Sequence, residues 1–175
     1  MMQTRVVKLM RLMAAAGVLS VLCWGGVWDV RSAQARPPSP VIDDFGYRDD
    51  AAAREARRPM AGSRPVSAAA RSGEKTLRLP CVFAVNRTER ASWDRMIELD
   101  LTECRGVQFQ FFCRDASPVS YFSLYFQSGP GWYTAPFYPQ SSGWNTIEID
   151  KSNMRIEGQP AGWGSIRTLR LSAWR

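Results

Sequence analysis

Histidine is absent from the chain, and that absence removes several chemistries at once. Without it there is no Ser-His-Asp triad, no Cys-His pair and no HExxH zinc site. The sequence also lacks the GxGxxG and GxxxxGK[ST] patterns that hold dinucleotides and nucleotide phosphates. Histidine-dependent hydrolysis and glycine-rich nucleotide sites are therefore excluded.

Charge is unbalanced but not concentrated. The 23 Lys and Arg residues exceed the 16 Asp and Glu residues by seven, and part of this excess lies in the first 35 residues. The one dense group comprises Arg54, Arg57, Arg58 and Arg64, in a polar, Ala-rich stretch typical of a solvated helix or linker. A nucleic-acid-binding protein would carry its basic residues on one face. We therefore expect no nucleic-acid partner.

The first 35 residues have the pattern of a leader. Three basic residues precede an almost wholly apolar run of about 17 residues, 12–28. Ala33 and Ala35 form the small-residue pattern after which a signal peptidase cleaves. We therefore predict a signal peptide over 1–35, a secreted, periplasmic or cell-surface location, and no membrane attachment after cleavage. A short membrane anchor is the alternative, since about 17 residues is near the lower limit for a spanning helix.

The remaining chain is predicted to form one domain over 41–175, preceded by an irregular lead-in at 36–40, Arg-Pro-Pro-Ser-Pro. A short helix is expected over 51–58, with Asp49 or Asp50 as its N-cap. No second helix of convincing length is found.

Apolar and polar residues then alternate in a succession of short runs. These runs cover 76–84, 93–101, 106–114, 119–127, 132–137, 144–149 and 165–174, and a shorter strand is expected at 41–45. Period-2 runs at this spacing, separated by Gly, Pro, Ser and Asn, predict an all-β antiparallel sandwich. We expect one short helix near its N-terminus.

Three cysteines remain after the predicted leader, which allows at most one intramolecular disulfide. Cys81 and Cys113 take core-facing positions, whereas Cys104 lies in a turn. A bridge from Cys104 to Cys113 would have to span most of one strand, far beyond disulfide reach. Cys81–Cys113 is the better candidate, and two small buried apolar side chains are the alternative.

The alternation also leaves aromatic and amide side chains pointing away from the core. They are Gln108, Gln110, Phe112, Tyr121, Tyr125 and Gln127. Aromatic rings stack on the C–H faces of sugars, and amides hydrogen-bond to vicinal hydroxyls. This surface is interpreted as a glycan-binding face, with coverage by a helix, a loop or a neighbouring domain as the alternative.

A Gly-Pro-Gly sequence at 129–131 can place Trp132 at a loop tip, where an exposed tryptophan would anchor a ligand. Core packing is the alternative for Trp132. Packing in the core or at a corner of the sandwich is the favoured interpretation for Trp144 and Trp163. The candidate ligand-binding residues are therefore Trp132, Tyr121, Tyr125, Gln110, Gln127 and Tyr133.

Three segments together resemble a known family. Ile42-Asp43-Asp44-Phe45, Gly143-Trp-Asn-Thr-Ile-Glu-Ile149 and Gly164-Ser-Ile-Arg-Thr-Leu-Arg-Leu-Ser172 look like the galactose-binding-like β-jelly roll of carbohydrate-binding modules. The chain is also similar to N-terminal accessory domains of secreted bacterial glycoside hydrolase-like proteins. The resemblance covers about 41–174 and implies a jelly roll with a glycan ligand.

The resemblance further implies a structural calcium near the first and last strands. Asp43 and Asp44 could supply oxygen ligands, although calcium takes six to eight; solvation at a strand edge is the alternative. Such domains end with a last strand beside the first, whereas this sequence stops at Arg175, after the penultimate strand. We therefore expect a truncated product or the front part of a longer protein, with an open sheet edge.

The sequence thus predicts an exported, non-catalytic, carbohydrate-binding domain with a polysaccharide or glycan as partner. The alternative is a structural or interaction module, a truncated accessory domain that packs on a catalytic or other partner domain and binds no sugar. A glycosidase would need two carboxyl groups roughly 5–10 Å apart. The candidates are Glu98, Asp100, Glu148 and Asp150, and no pattern in the sequence singles out an acid among them.

Overall fold

The computed structural model describes residues 4–14, 41–71, 73–83, 89–117 and 119–175. Within these ranges the chain forms one short α-helix, one turn of 3-10 helix (Lys151–Asn153) and twelve strands. The α-helix is α1 (Asp50–Ala56), and the strands are β1 (Thr4–Ala14), β2 (Val41–Asp43), β3 (Arg58–Met60), β4 (Ser67–Arg71), β5 (Glu74–Pro80), β6 (Arg90–Leu99), β7 (Cys104–Cys113), β8 (Tyr121–Ser128), β9 (Gly131–Phe137), β10 (Gly143–Asp150), β11 (Arg155–Glu157) and β12 (Ile166–Trp174).

The strands form two six-stranded sheets. Sheet A has the order β10-β7-β1-β5-β4, with β2 also paired to β1, and sheet B has the order β11-β9-β8-β12-β6-β3. All described pairings are antiparallel. The predicted all-β antiparallel sandwich with one short helix is confirmed.

Strands β5 to β10 and β12 coincide with the seven alternating runs of the sequence. The sequence did not predict β3, β4 or β11. Strand β1 falls within the segment predicted as a leader, where it pairs with β5 and β7 in sheet A. The rest of the predicted leader, its cleavage site and the proline-rich lead-in lie outside the described residues.

The core lies between the sheets and is held largely by phenylalanines. Phe111 of sheet A contacts Phe122 and Phe137 of sheet B, with ring centroids 4.8 and 5.3 Å apart. Phe109 meets Phe137 edge to face at 5.2 Å. Such edge-to-face pairs add about 0.5–1.5 kcal/mol to the free energy of burial. These contacts fix which faces of the two sheets look inward.

Helix α1 begins as the sequence predicts. The side chain of Asp49 accepts a hydrogen bond from the backbone N–H of Ala52 at 2.8 Å, the usual N-cap contact. Asp50 accepts one from the N–H of Ala68 at 2.9 Å, which ties the helix to β4. The helix ends at Ala56, two residues earlier than predicted, because β3 begins at Arg58.

A buried ion cluster joins the end of β2 to the end of α1 and to β6. The Asp43 carboxylate accepts from Phe45 N at 2.8 Å, Tyr47 Oη at 2.9 Å and Arg57 Nη2 at 2.8 Å, and it also pairs with Arg95. Burial acts to raise the pKa of Asp43, but the two guanidinium charges and the hydrogen bonds outweigh it and lower that pKa.

Candidate functional site

The outer face of sheet B carries large aromatic side chains on three neighbouring strands. Tyr121 and Tyr125 lie on β8, Trp132 on β9 and Trp174 on β12. They point outward because the alternate residues of β8 fill the core. We call the surface formed by these four residues the aromatic face.

A tight hairpin sets the register of β8 and β9. The two-residue turn starts with Gly129 at a φ of 55°, a conformation that glycine adopts at the first central position of a type II′ turn. The turn pairs Tyr125 with Thr134 and Gln127 with Trp132. Trp132 is therefore the second residue of β9 and is half-buried, so it does not lie at a loop tip as the sequence suggested.

A cleft of about 290 Å³ opens on this face, across β8, β9 and β11. It is lined by Tyr121, Ser123, Tyr125, Thr134, Pro136, Tyr138, Arg155 and Glu157. Ser123 pairs with Pro136, and Tyr125 pairs with Thr134, so short side chains lie side by side between tyrosines. The volume is just below the range of about 300–1,000 Å³ that is usual for small-molecule sites.

One end of the aromatic face is braced by an arginine. Arg170 donates to both carboxylate oxygens of Asp94, from Nε at 2.6 Å and from Nη2 at 2.8 Å. Its guanidinium carbon lies 4.4 Å from the ring centroid of Trp132, and the Trp132 ring meets Tyr125 edge to face at 6.1 Å. Tyr125 is only 6% exposed. A charge-assisted bidentate contact thus holds these rings in one orientation.

The other end is held by stacking. The Tyr121 and Trp174 rings are nearly parallel, with centroids 5.6 Å apart. Trp174 Nε1 donates to Ser123 Oγ at 2.9 Å, and the Arg90 guanidinium carbon lies 5.0 Å from the Trp174 ring. Partial burial, reinforced by nearby Tyr125, raises the pKa of Tyr121, so its hydroxyl stays protonated and able to donate at neutral pH.

Two side chains of opposite charge complete the cleft from β11. Arg155 and Glu157 alternate along this edge strand, pairing with Thr134 and Trp132 of β9. Both are exposed, and neither forms an ion pair with another residue in the described part of the chain. Arg155 offers hydrogen-bond donors and Glu157 offers acceptors to a ligand in the cleft.

The predicted ligand-binding residues fall into two groups. Tyr121, Tyr125, Trp132 and Gln127 share the outer side of sheet B, and two of them, Tyr121 and Tyr125, line the cleft. Gln127 accepts a hydrogen bond from Thr168 Oγ1 at 2.8 Å. The alternation predicted a shared side for Tyr121, Tyr125 and Gln127, whereas Trp132 was expected at a loop tip and joins them as a residue of β9.

The other two lie elsewhere. Gln110 is on β7 of sheet A, where its amide donates to Thr146 at 2.9 Å. Tyr133 faces the core, where it stacks on Trp163 with centroids 3.8 Å apart. Trp163 packs against the core as predicted, whereas Trp144 is half-buried against Phe112, with centroids 5.4 Å apart. Neither Gln110 nor Tyr133 reaches the cleft, so the amide and aromatic residues do not form one face.

Several cleft residues were not among the predicted ones. The sequence contains no signal for Arg155 and Glu157, because β11 is only three residues long. It contains none for Tyr138, because this residue follows the end of β9 and lies outside the alternating run. Thr134 could have been found, since it alternates with Trp132 on the predicted strand and must share its side.

The predicted calcium ligands do not fit a cation. Asp43 is already engaged by two guanidiniums, a tyrosine hydroxyl and a backbone N–H, and the two positive charges would repel a metal ion. Asp44 points to the surface and accepts from Gly46 N at 2.8 Å. Across the described ranges, no three His, Cys, Asp or Glu side chains come together as metal ligands.

The predicted disulfide is not formed. Cys81 follows β5 and Cys113 ends β7, and both are buried thiols. The Cys81 sulfur lies 3.8 Å from the carbonyl oxygen of Leu79. The alternative drawn from the sequence, two small buried apolar side chains, describes them correctly.

The four carboxylates considered for glycoside hydrolysis are each engaged by donors. Glu98 pairs with Arg167, and Glu148 accepts from a glutamine amide at 2.6 Å. Asp100 accepts from the backbone of Thr102, and hydrogen bonds lower its pKa. Hydrogen bonds from Arg105 and Ser152 lower the pKa of Asp150 to about 2. A general acid would need a raised pKa instead.

Among the described residues, no helix has the length and apolar character needed to cross a membrane. No family model matches the sequence, and neither a curated protein nor a solved structure matches it.

Proposed function

We propose that this protein is a non-catalytic carbohydrate-binding domain whose ligand lies in the cleft between β8, β9 and β11. The observation that carries the proposal is the composition of the cleft. Tyrosine rings, short hydroxyl side chains, the exposed Arg155 and the exposed Glu157 meet on one side of sheet B. Sugars combine apolar C–H faces with rings of hydroxyls, and this lining offers a partner to each.

Tyr138, at the rim of the cleft, offers an exposed aromatic ring to a ligand. Tyr138 is 54% exposed, so a sugar ring that covers it would remove apolar area from water. Tyr125, by contrast, is nearly covered by its neighbours. We therefore assign stacking to Tyr138 and Tyr121, and hydrogen bonding to Arg155, Glu157 and Thr134.

Part of the site is ordered before any ligand arrives. The stacking of Tyr121 on Trp174 fixes the Tyr121 ring, and the Arg170 contacts with Asp94 and Trp132 fix the rings beside it. Tyr138, Arg155 and Glu157 are exposed, and a ligand would have to immobilise them at a cost of about 0.5–1.5 kcal/mol each.

The leader predicted over 1–35 supports export, and we propose a secreted, periplasmic or cell-surface location on that ground. We propose a polysaccharide or another glycan as the ligand. A catalytic or other partner domain is included in the proposal, because a non-catalytic module acts by holding its partner near a polymer.

The test is affinity gel electrophoresis of the full chain against a panel of polysaccharides. We expect at least one polymer to retard the protein, and Tyr138→Ala to abolish most of that retardation. Ile156→Ala is the matched control: Ile156 is 65% exposed and lies between Arg155 and Glu157, but outside the cleft lining. It should leave retardation unchanged.

Two results would overturn the proposal. A folded protein that no polymer retards would favour the interaction module. Retardation that is equal in the parent, Tyr138→Ala and Ile156→Ala proteins would place the sugar elsewhere. Near-UV circular dichroism of each protein establishes that it is folded.

A further inference from the structure

Strand β1 occupies an interior position of sheet A. It forms register pairs with β5 through four residues, 4–7, and with β7 along most of its length. In the described sheet, β5 and β7 meet only through β1. Neighbouring strands lie about 4.8 Å apart, so the space between β5 and β7 is about 10 Å wide.

Both neighbours run in the same direction, because each is antiparallel to β1. Without β1, each would present a row of unpaired backbone N–H and C=O groups to the space between them. The core side of this space is apolar: Leu77 and Leu79 of β5 and Phe109 and Phe111 of β7 are almost fully buried. A strand at this position therefore completes the hydrogen-bond ladder and runs beside apolar core positions of both neighbours.

The residues that fill the position have a second predicted role. The sequence of β1 is the basic start and first apolar residues of the predicted leader. Cleavage after Ala35 would detach β1 from the body, 41–175, and open the space between β5 and β7.

We propose that the space between β5 and β7 is a strand-acceptor site. Its occupant is an extended polypeptide strand, antiparallel to both neighbours, with apolar residues in register with Phe111, Phe109 and Val107 of β7. In the intact chain β1 is that strand, and its Val7, Met10 and Leu12 take these register positions. Backbone hydrogen bonds to two edges supply the affinity, and the apolar residues at these positions supply the specificity. The site is on sheet A and does not depend on glycan binding by sheet B.

The test begins with the full chain, into which a protease site is introduced between residues 15 and 40. After cleavage, the probe is a synthetic peptide with the sequence of residues 4–14 and a Val6→Cys change. Val6 is in register with Arg78, an exposed residue of β5, so an Arg78→Cys body should be cross-linked to the peptide by a short bis-maleimide. Met96→Cys, 64% exposed on sheet B, is the matched control.

We expect the cleaved N-terminal fragment to stay associated in size-exclusion chromatography and to be displaced by excess peptide. The Arg78→Cys body should be cross-linked to the peptide, and the Met96→Cys body should not. The body without an added cysteine measures how much cross-linking Cys81, Cys104 and Cys113 give by themselves. A peptide with Val7→Pro and Met10→Pro should bind at least about tenfold more weakly, because each proline removes a backbone donor.

Three outcomes would refute the proposal. In one, the fragment leaves and the body stays folded but neither binds nor cross-links the peptide. In another, the body unfolds when the fragment leaves and excess peptide does not restore it, which would make β1 an inseparable part of the sheet. Equal cross-linking of the Arg78→Cys and Met96→Cys bodies would also refute it.

Discussion

Replacing Asp43 by Asn should cause a large loss of stability. The Asp43 side chain is 2% exposed and that of Arg57 is fully buried, and Arg95 shares the same carboxylate. The cluster therefore holds two positive charges against one negative charge. Arg57 Nε and Nη1 find no hydrogen-bond partner among the described residues, so the guanidinium depends on this carboxylate and on the Phe45 ring 5.2 Å away.

The magnitude follows from what the change leaves behind. Removing one partner of a buried ion pair costs about 3–5 kcal/mol, because the other charge stays buried and uncompensated. That is a large share of the 5–15 kcal/mol typical of a domain. With a urea m-value of about 2 kcal/mol/M, the unfolding midpoint should fall by about 2 M.

A neighbouring residue provides the control for this experiment. Asp44 is exposed and accepts only a backbone hydrogen bond from Gly46 in the described structure. Asp44→Asn should therefore change stability by about 0.5 kcal/mol or less. The pair Asp43→Asn with Arg57→Met should be less destabilising than the sum of the single changes, because removing the arginine relieves part of the uncompensated charge.

The pH dependence gives a second readout with a definite sign. The folded-state pKa of Asp43 lies below its ordinary value of 3.8, so the unfolded state binds its proton first. The stabilisation from Asp43 is therefore complete well above pH 3.8 and is lost as the pH falls through the lower, folded pKa. The gap between wild type and Asp43→Asn should be constant near neutral pH and should shrink below pH 3.8. Equal urea midpoints for both proteins at pH 7 would refute the reasoning.

Three further predictions concern other parts of the sandwich. Arg170→Met should change the tryptophan emission spectrum and weaken glycan retardation without unfolding the protein, since it frees the Trp132 ring; unchanged emission would contradict the proposed brace. Gly106→Ala should lower the urea midpoint by about 1 M or more, because its Cβ would lie 2.1 Å from a backbone carbonyl oxygen of β10; a midpoint equal to wild type would show that the strands can separate. Asp150 should titrate at a pKa of about 2 by NMR, and Arg105→Gln should move that pKa toward 3.8, since the arginine hydrogen bond is its largest cause.

Alternation predicted most of the sandwich because the sheets bury one side of each strand. Residues 107, 109 and 111 on β7, and 122, 124 and 126 on β8, turn to the core as their period-2 pattern indicates. The same pattern cannot assign a strand to a sheet. Gln110 and Tyr125 both point outward, yet they lie on opposite sheets.

The elements that the sequence missed lack an alternating pattern of useful length. Strands β3 and β11 have three residues each, and β4 is mostly alanine. The sequence of β1 predicts part of a leader, because basic residues followed by apolar residues at an N-terminus are typical of a signal peptide. Tyr133 was grouped with Trp132 because they are adjacent, although neighbours on a strand face opposite sides.

The two edge strands of sheet B, β3 and β11, limit which substitutions an engineered variant of this protein can carry. Each has three residues, and their exposed positions include Arg58 and Pro59 at one end of the sheet and Arg155 and Glu157 at the other. Short, charged or proline-bearing strands of this kind stop sheets of different molecules from joining edge to edge. Arg155 and Glu157 therefore serve solubility as well as the cleft. Exchanging them for aromatic residues to tighten ligand binding would also remove the barrier to fibre formation.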